Sequence, residues 1–347
     1  MKFGLFYLFS DFGTIRQDRL LHEVLEEITY AEELGFESVW LPEHHFAVYG
    51  MLGNPLIFAA SVAARTRRMK IGTAIMVVPS QHPLRLAEDA AMVDALSNGR
   101  LLLGLGRGYQ PPEFAGFGLD QSASREMFDE GFAHHGKFWS FRDPVEIYPK
   151  PIQTPHPPFY LAAISPSTYD LAARLGISLL RSPTFTDLDT VTARFEDYRA
   201  KMREHGHDPD ALDQPFLVRT YVAPTDAEAR AETKHVVWYY HLLGSLVPGA
   251  PNLPSPSSYE VYPDAARRLS AVSEDEVWEH GSCFGSPERV AGMLKRYLYR
   301  TGMNHIALEM RIGGLEHRKV MRSMELFARE VMPEVRAAVT ERAIAAR

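Results

Sequence analysis

Eight short apolar runs, each followed by a longer stretch with apolar residues at helical spacing, constrain this chain more than any other feature. The runs are residues 1–9, 38–41, 70–78, 100–105, 159–163, 177–181, 216–222 and 304–310. Short strands alternating with amphipathic helices imply parallel strands joined by helical crossovers. Eight such units are what a closed (β/α)8 barrel requires, so the expected fold is an α/β TIM barrel. Expected helices cover residues 18–34, 54–64, 84–96, 122–138, 166–175, 188–205, 226–243, 287–299 and 316–332. Gly35 and Gly176 stand at C-terminal glycine positions, and Asn54-Pro55 reads as an N-cap followed by proline in the first turn. A length of 347 residues suits one such barrel as well as two average domains, and 46% apolar residues suffice for one continuous core. We therefore expect a single domain over residues 1–347.

Two segments break the rhythm. Residues 143–158 carry too many prolines for a helix or a central strand and read as an irregular excursion. Residues 244–285 include Pro248, Pro251, Pro254, Pro256 and Pro263, and read as an insertion forming a mobile lid. The formal charge of -7 argues against a polyanion binder, so nucleic acid is not an expected partner. Cys283 is the single cysteine, which precludes an internal disulfide and fits a reducing compartment. The apolar run after Met1 stops at Ser10-Asp11, short of secretory length, and no stretch reaches the roughly 18 apolar residues of a membrane helix. A cytoplasmic protein is expected, with no membrane association.

Chemistry gathers where strands end. The second run closes on Glu43, His44 and His45, at the carboxyl end that forms the active face of such barrels. Neighbouring side chains on an extended segment point to opposite faces, so a metal shared by His44 and His45 is disfavoured. Either both are buried, hydrogen-bonded histidines, or one transfers a proton while the other is structural. Gly104-Leu105-Gly106-Arg107-Gly108-Tyr109 begins like a dinucleotide fingerprint but has tyrosine at the third glycine position. What survives is a glycine-rich strand end open to a flat ligand, with Arg107 available for an anion; a plain tight turn with a solvated arginine is the alternative. Ser165-Pro166-Ser167-Thr168 opens a helix, as a phosphate cradle or as an ordinary cap. Taken together, a phosphate site on one side and histidines on the other resemble a mononucleotide cofactor lying across a barrel mouth. Gly72-Thr73-Ala74-Ile75-Met76 offers small residues beneath a planar ring, or simply core packing, and His82 adds a polar group at the same end.

These motifs resemble the bacterial luciferase-like flavin monooxygenases. The resemblance lies in EHHF at 43–46, GNP at 53–55, GTAI at 72–75, His82-Pro83 through Ala87-Glu88-Asp89, and GR at 99–100. It continues through Arg107-Gly108, SPST at 165–168, GSPE at 285–288 and the closing SMELFAREVMP. It implies a barrel that takes reduced FMN from a separate flavin reductase, forms a C4a-hydroperoxyflavin with O2 and oxygenates a small, largely apolar organic substrate. His44 matches the family's catalytic histidine, with His45 and His82 completing the expected catalytic set. Glu43 and Tyr109 would border the cofactor, Arg107, Ser165 and Thr168 would contact its phosphate, and Ala74-Ile75 would form a cis peptide under the isoalloxazine. Phe9, Phe46, Tyr109 and Trp238 are candidate pocket walls. The resemblance also implies a homodimer through the helices after strands two and three. Gly106 stands where luciferase has a reactive cysteine, Ile164 replaces a glutamate, and residues 244–283 differ in sequence, so light emission is not expected. Hydride transfer with the deazaflavin F420, or a non-catalytic flavin-binding subunit, are the alternatives.

Overall fold

A computed structural model describes every residue except 134, 135, 142, 144, 346 and 347. The strands are β1 (Lys2–Phe6), β2 (Ser38–Leu41), β3 (Lys70–Thr73), β4 (Met76–Val77), β5 (Leu101–Gly106), β6 (Phe159–Ala162), β7 (Ser178–Leu180), β8 (Pro215–Val222), β9 (Cys283–Gly285) and β10 (His305–Glu309). They pair in parallel in the order β7-β6-β5-β3-β2-β1-β10-β8, and a bridge between Arg181 and Phe216 joins β7 to β8. The sheet thereby closes into an eight-stranded barrel, with β4 continuing β3 along β5 and β9 attached to the end of β8. Among the described residues no helix is long and apolar enough to cross a membrane.

Local chemistry explains the element ends. Asn54 accepts the backbone N–H groups of Leu56 and Ile57 at 3.0 and 3.3 Å, starting helix Pro55–Arg65 with Pro55 at its first position. Gly35 and Gly176 end helices Gln17–Leu34 and Pro166–Leu175 in the left-handed region, at φ 89° and 66°. The buried Arg100 guanidinium gathers the carbonyls of Ala63, Thr66, Met69 and Ser97, fastening the end of helix Pro55–Arg65 to the strands beside it. At the amino end of the barrel, Ser38 Oγ lies 2.8 Å from His305 Nε2, and His305 Nδ1 lies 2.9 Å from Asp213. This has the connectivity of a serine triad, but Ser38 is 1% exposed and also accepts the Trp40 indole, so it is a sealed polar plug.

Several expected elements are corrected. The run 70–78 is two strands, because the backbone turns at Ala74–Ile75, whose peptide is cis. The expected helix 122–138 is described as Ser124–Ala133, after a short helix Pro111–Gly116; residues 134 and 135 of the expectation lie outside the described residues, and 136–138 are not helical. Glu130 takes the N–H groups of Lys137, Phe138 and Trp139, which satisfies them outside a helix. Residues 226–243 split into helices Asp226–Thr233 and Val237–Leu246, bridged by a 3-10 turn. Residues 244–285 are more regular than expected: Tyr262, Ala265, Ala266 and Leu269 form the buried stripe of helix Tyr262–Ala271, which packs on Val237–Leu246.

Gly72 shows how tightly this barrel is filled. A Cβ added there would lie 2.2 Å from Trp40 Cε3, against a fully buried indole. Gly72→Ala is expected to cost roughly 2–3 kcal/mol by overpacking, read as a lowered denaturation midpoint with unchanged slope.

Candidate functional site

A deep cavity opens at the carboxyl ends of the strands, and the loop after β2 supplies its central group. Glu43 is 2% exposed and its carboxylate is fully engaged. Oε2 accepts Val77 N–H at 2.9 Å and Gln81 Nε2 at 2.8 Å; Oε1 accepts Ser80 Oγ at 3.1 Å and lies 3.0 Å from His45 Nε2. Glu43 thus ties the loops after β2 and β4 together while lining the cavity. It also turns the His45 ring outward, onto Phe117 at 4.7 Å. His44 faces the other way, into the cavity, as alternation along an extended segment requires.

His44 Nδ1 lies 2.9 Å from Glu113 Oε1 and 3.0 Å from Gln110 Nε2. One ring nitrogen cannot donate to the first and accept from the second together, and the carboxylate is the stronger partner. We assign Nδ1–H to Glu113, which leaves Nε2 as the basic nitrogen for chemistry. Glu113 Oε1 also accepts the His45 N–H at 2.9 Å, so the carboxylate is itself fixed. Gly50, at φ 73°, is required beside it, since a Cβ there would lie 2.6 Å from His44 Cδ2. Glu113→Gln keeps the shape but removes the charge behind the imidazole. We expect kcat to fall about 10- to 100-fold, less than the roughly 10²–10⁴ for losing an acid-base group, with flavin affinity unchanged in a fluorescence titration.

The other end of the cavity is built for an anion. Arg107 follows β5 directly; its Nη2 donates to Ser258 O at 2.8 Å, its guanidinium lies 4.0 Å over the Tyr259 ring, and its buried Nη1 has no partner. Arg125 donates to Ser167 Oγ at 2.9 Å and reaches Ser165 Oγ and Thr168 Oγ1 at 3.5 Å. Ser165 makes no side-chain cap to helix Pro166–Leu175, so its hydroxyl is left for a ligand at that helix start. Burial, then the Arg107 charge, push the Arg125 guanidinium below its ordinary value. Two cations, an orphaned N–H and three hydroxyls converge here, with one carboxylate, Asp129, 3.8 Å from Arg125 Nη1, and this set fits a phosphate. A ligand phosphate would be held by Arg107, Arg125, Ser165 and Thr168, in the cavity that Ala74 and Ile75 also line.

Not every expected residue reaches this cavity. His82 sits before helix Pro83–Leu96 and packs on Trp139 and Phe141, away from it. Phe46 is 64% exposed against Phe117, Trp238 packs on Phe12, and Phe9 is core. Tyr109 does line the cavity, within 5.2–5.6 Å of Phe185 and Tyr262. The glycine-rich strand end is also tighter than expected, because Ile75 fills the space beside Gly106. Glu113, Gln110 and Arg125 were absent from the expected set. Among the described residues no group of three or more histidine, cysteine or acidic side chains is arranged to hold a metal.

A cavity at the carboxyl end of a parallel barrel, with an anion cradle facing a carboxylate-held histidine, defines a barrel enzyme built around a phosphate-bearing cofactor. Residues 1–305 match the luciferase-like monooxygenase family, and the chain belongs to it. It is 27% identical to the alkanal monooxygenase alpha chain of Photorhabdus luminescens, over 96% of this chain and 97% of the relative. It is 28% identical to the oxygenase component of the flavin-dependent trigonelline monooxygenase of Acinetobacter baylyi, over 71% of each. A monooxygenase structure from Streptomyces bottropensis superposes with a TM-score of 0.82 at 28% identity, covering 96% of this chain and 99% of that one.

Proposed function

We propose that this luciferase-like monooxygenase is the oxygenase component of a two-component system, taking FMNH2 from a separate reductase. The observation that carries this reading is the shared cavity: the orphaned Arg107 Nη1 beside the Arg125–Ser165–Thr168 cradle at one end, and His44 held by Glu113 at the other. Bound reduced FMN supplies the electrons that split O2, one oxygen atom entering the organic substrate and the other leaving as water. His44 Nε2 moves the proton this exchange demands, while Glu113 keeps the imidazole in the required tautomer. Glu43 and His45 support that loop, and His82 has a structural role.

Segment 244–285 acts as the lid of the single domain, since Ser258 and Tyr259 rest on Arg107 and Tyr259 OH donates to Gly108 O at 3.0 Å. Closing it over bound flavin excludes water. Ile57, Met92 and Leu96 are 70%, 47% and 64% exposed on helices Pro55–Arg65 and Pro83–Leu96, which form the homodimer face. Light scattering giving a monomer mass would remove that face. The enzyme works in a reducing, cytoplasmic setting.

The test is rapid mixing of the protein and photoreduced FMN with oxygenated buffer. A transient absorbance distinct from reduced and oxidised flavin, outliving that of free flavin, is expected. Oxidation at the free-flavin rate overturns the reading, and anaerobic hydride transfer to F420 would replace it.

A further inference from the structure

Within a largely apolar cavity, the side away from the phosphate cradle carries a buried cation. Arg219, on β8, lines that side and is 6% exposed. Its Nη1 donates to Thr184 Oγ1 at 3.1 Å and its Nη2 to Tyr239 OH at 3.3 Å. Tyr239 OH in turn donates to Tyr49 OH at 3.4 Å, and the Tyr49 ring stands 5.2 Å from the His44 ring. A guanidinium carries five N–H groups, so one hydrogen on each terminal nitrogen of Arg219 is still to be used.

Glu309 is the counter-charge, with Oε2 3.1 Å from Arg219 Nε. The pair is close but misaligned, so Arg219 Nε meets Glu309 as an ion pair and not as a hydrogen bond. Burial pushes the Glu309 carboxyl above its ordinary value, with Arg219 opposing. Tyr109, Phe185 and Tyr262 also line the cavity as a cluster of rings 5.2–5.6 Å apart, a wall suited to a flat ring.

We propose that Arg219, with Thr184 and Tyr239, anchors an electronegative oxygen of the substrate, and that the substrate is an aromatic molecule bearing an acidic oxygen, of the carboxylate or phenolate type. The aromatic body lies against the Tyr109 wall, and the anchored oxygen fixes which ring position meets the oxygen-transferring centre. The proposal rests on the oxygenase reading for its reaction but not for its binding.

Calorimetric titration of the full chain, with and without FMN, tests this with 2-naphthoate and its neutral isostere 2-methylnaphthalene. We expect naphthoate to bind at least tenfold more tightly, and Arg219→Met to erase that preference. Equal affinities, no naphthoate binding, or a preference that survives Arg219→Met overturns the proposal. Should Arg219→Met fail to fold, Thr184→Val and Tyr239→Phe each delete one hydroxyl and are expected to weaken naphthoate several-fold; no change in either overturns it. The preference is expected to persist when FMN fills the phosphate cradle, and its loss there would assign the carboxylate to that cradle and sink the anchor. Failure of FMN to bind would remove the oxygenase reading while the naphthoate titration still decides this one.

Discussion

His44→Ala is expected to lower oxygenated product by about 10²- to 10⁴-fold, the usual worth of a positioned acid-base group, while FMN affinity stays within about twofold of the parent. The two halves of that expectation come from different parts of the cavity. His44 meets Glu113 and Gln110 through Nδ1 and makes no contact with the phosphate cradle, so removing the imidazole leaves Arg107, Arg125 and the Ser165 hydroxyl in place. The alanine leaves Glu113 with the His45 N–H as a remaining donor, which limits the cost to the fold. Single-turnover product analysis gives the first quantity and a flavin fluorescence titration the second. Product at the parent rate would strip His44 of its role; flavin binding lost together with product would instead make it a structural residue of the pocket.

Much of this arrangement is legible in the sequence, and the rest is hidden for reasons that particular residues make clear. Barrel strands buried on both faces read as apolar runs, and helices between them keep a helical period, so the alternation survives even where boundaries slip. Asn54-Pro55, Gly35 and Gly176 carry their conformations in their own chemistry. The run 70–78 shows the limit, because an apolar run is equally apolar whether the strand is continuous or turns at Ala74–Ile75. Glu113 was hidden because its helix, Pro111–Gly116, is six residues opening on two prolines, and its partner His44 comes from a different βα loop. Arg125 stands one residue into a helix whose start was placed at Ser122, and nothing local says that it faces Ser165 across the barrel mouth. Helix Tyr262–Ala271 had a usable signal in Pro263 near its start, obscured by the four prolines before it. The Arg219–Glu309 pair is the hardest case. The two charges lie 90 residues apart in the chain and meet only when β8 and β10 pair in register.

Arg107→Ala is expected to raise the Kd for FMN by roughly 30- to 1,000-fold, since losing one partner of a buried charge-assisted contact costs about 2–4 kcal/mol. The unpartnered Nη1 and the neighbouring Arg125 cation are the reason to place that energy on the phosphate. The same arginine also holds the lid, through the Ser258 carbonyl and the face of Tyr259. Riboflavin, which lacks the phosphate, separates the two roles. If Arg107 acts on the phosphate, the variant loses FMN affinity while its weaker riboflavin affinity stays unchanged, and the parent's preference for FMN over riboflavin collapses. If both flavins weaken by the same factor, Arg107 contributes by keeping Ser258 and Tyr259 closed over the cavity, and the phosphate contact falls to Arg125, whose own alanine variant would then show the larger loss for FMN alone.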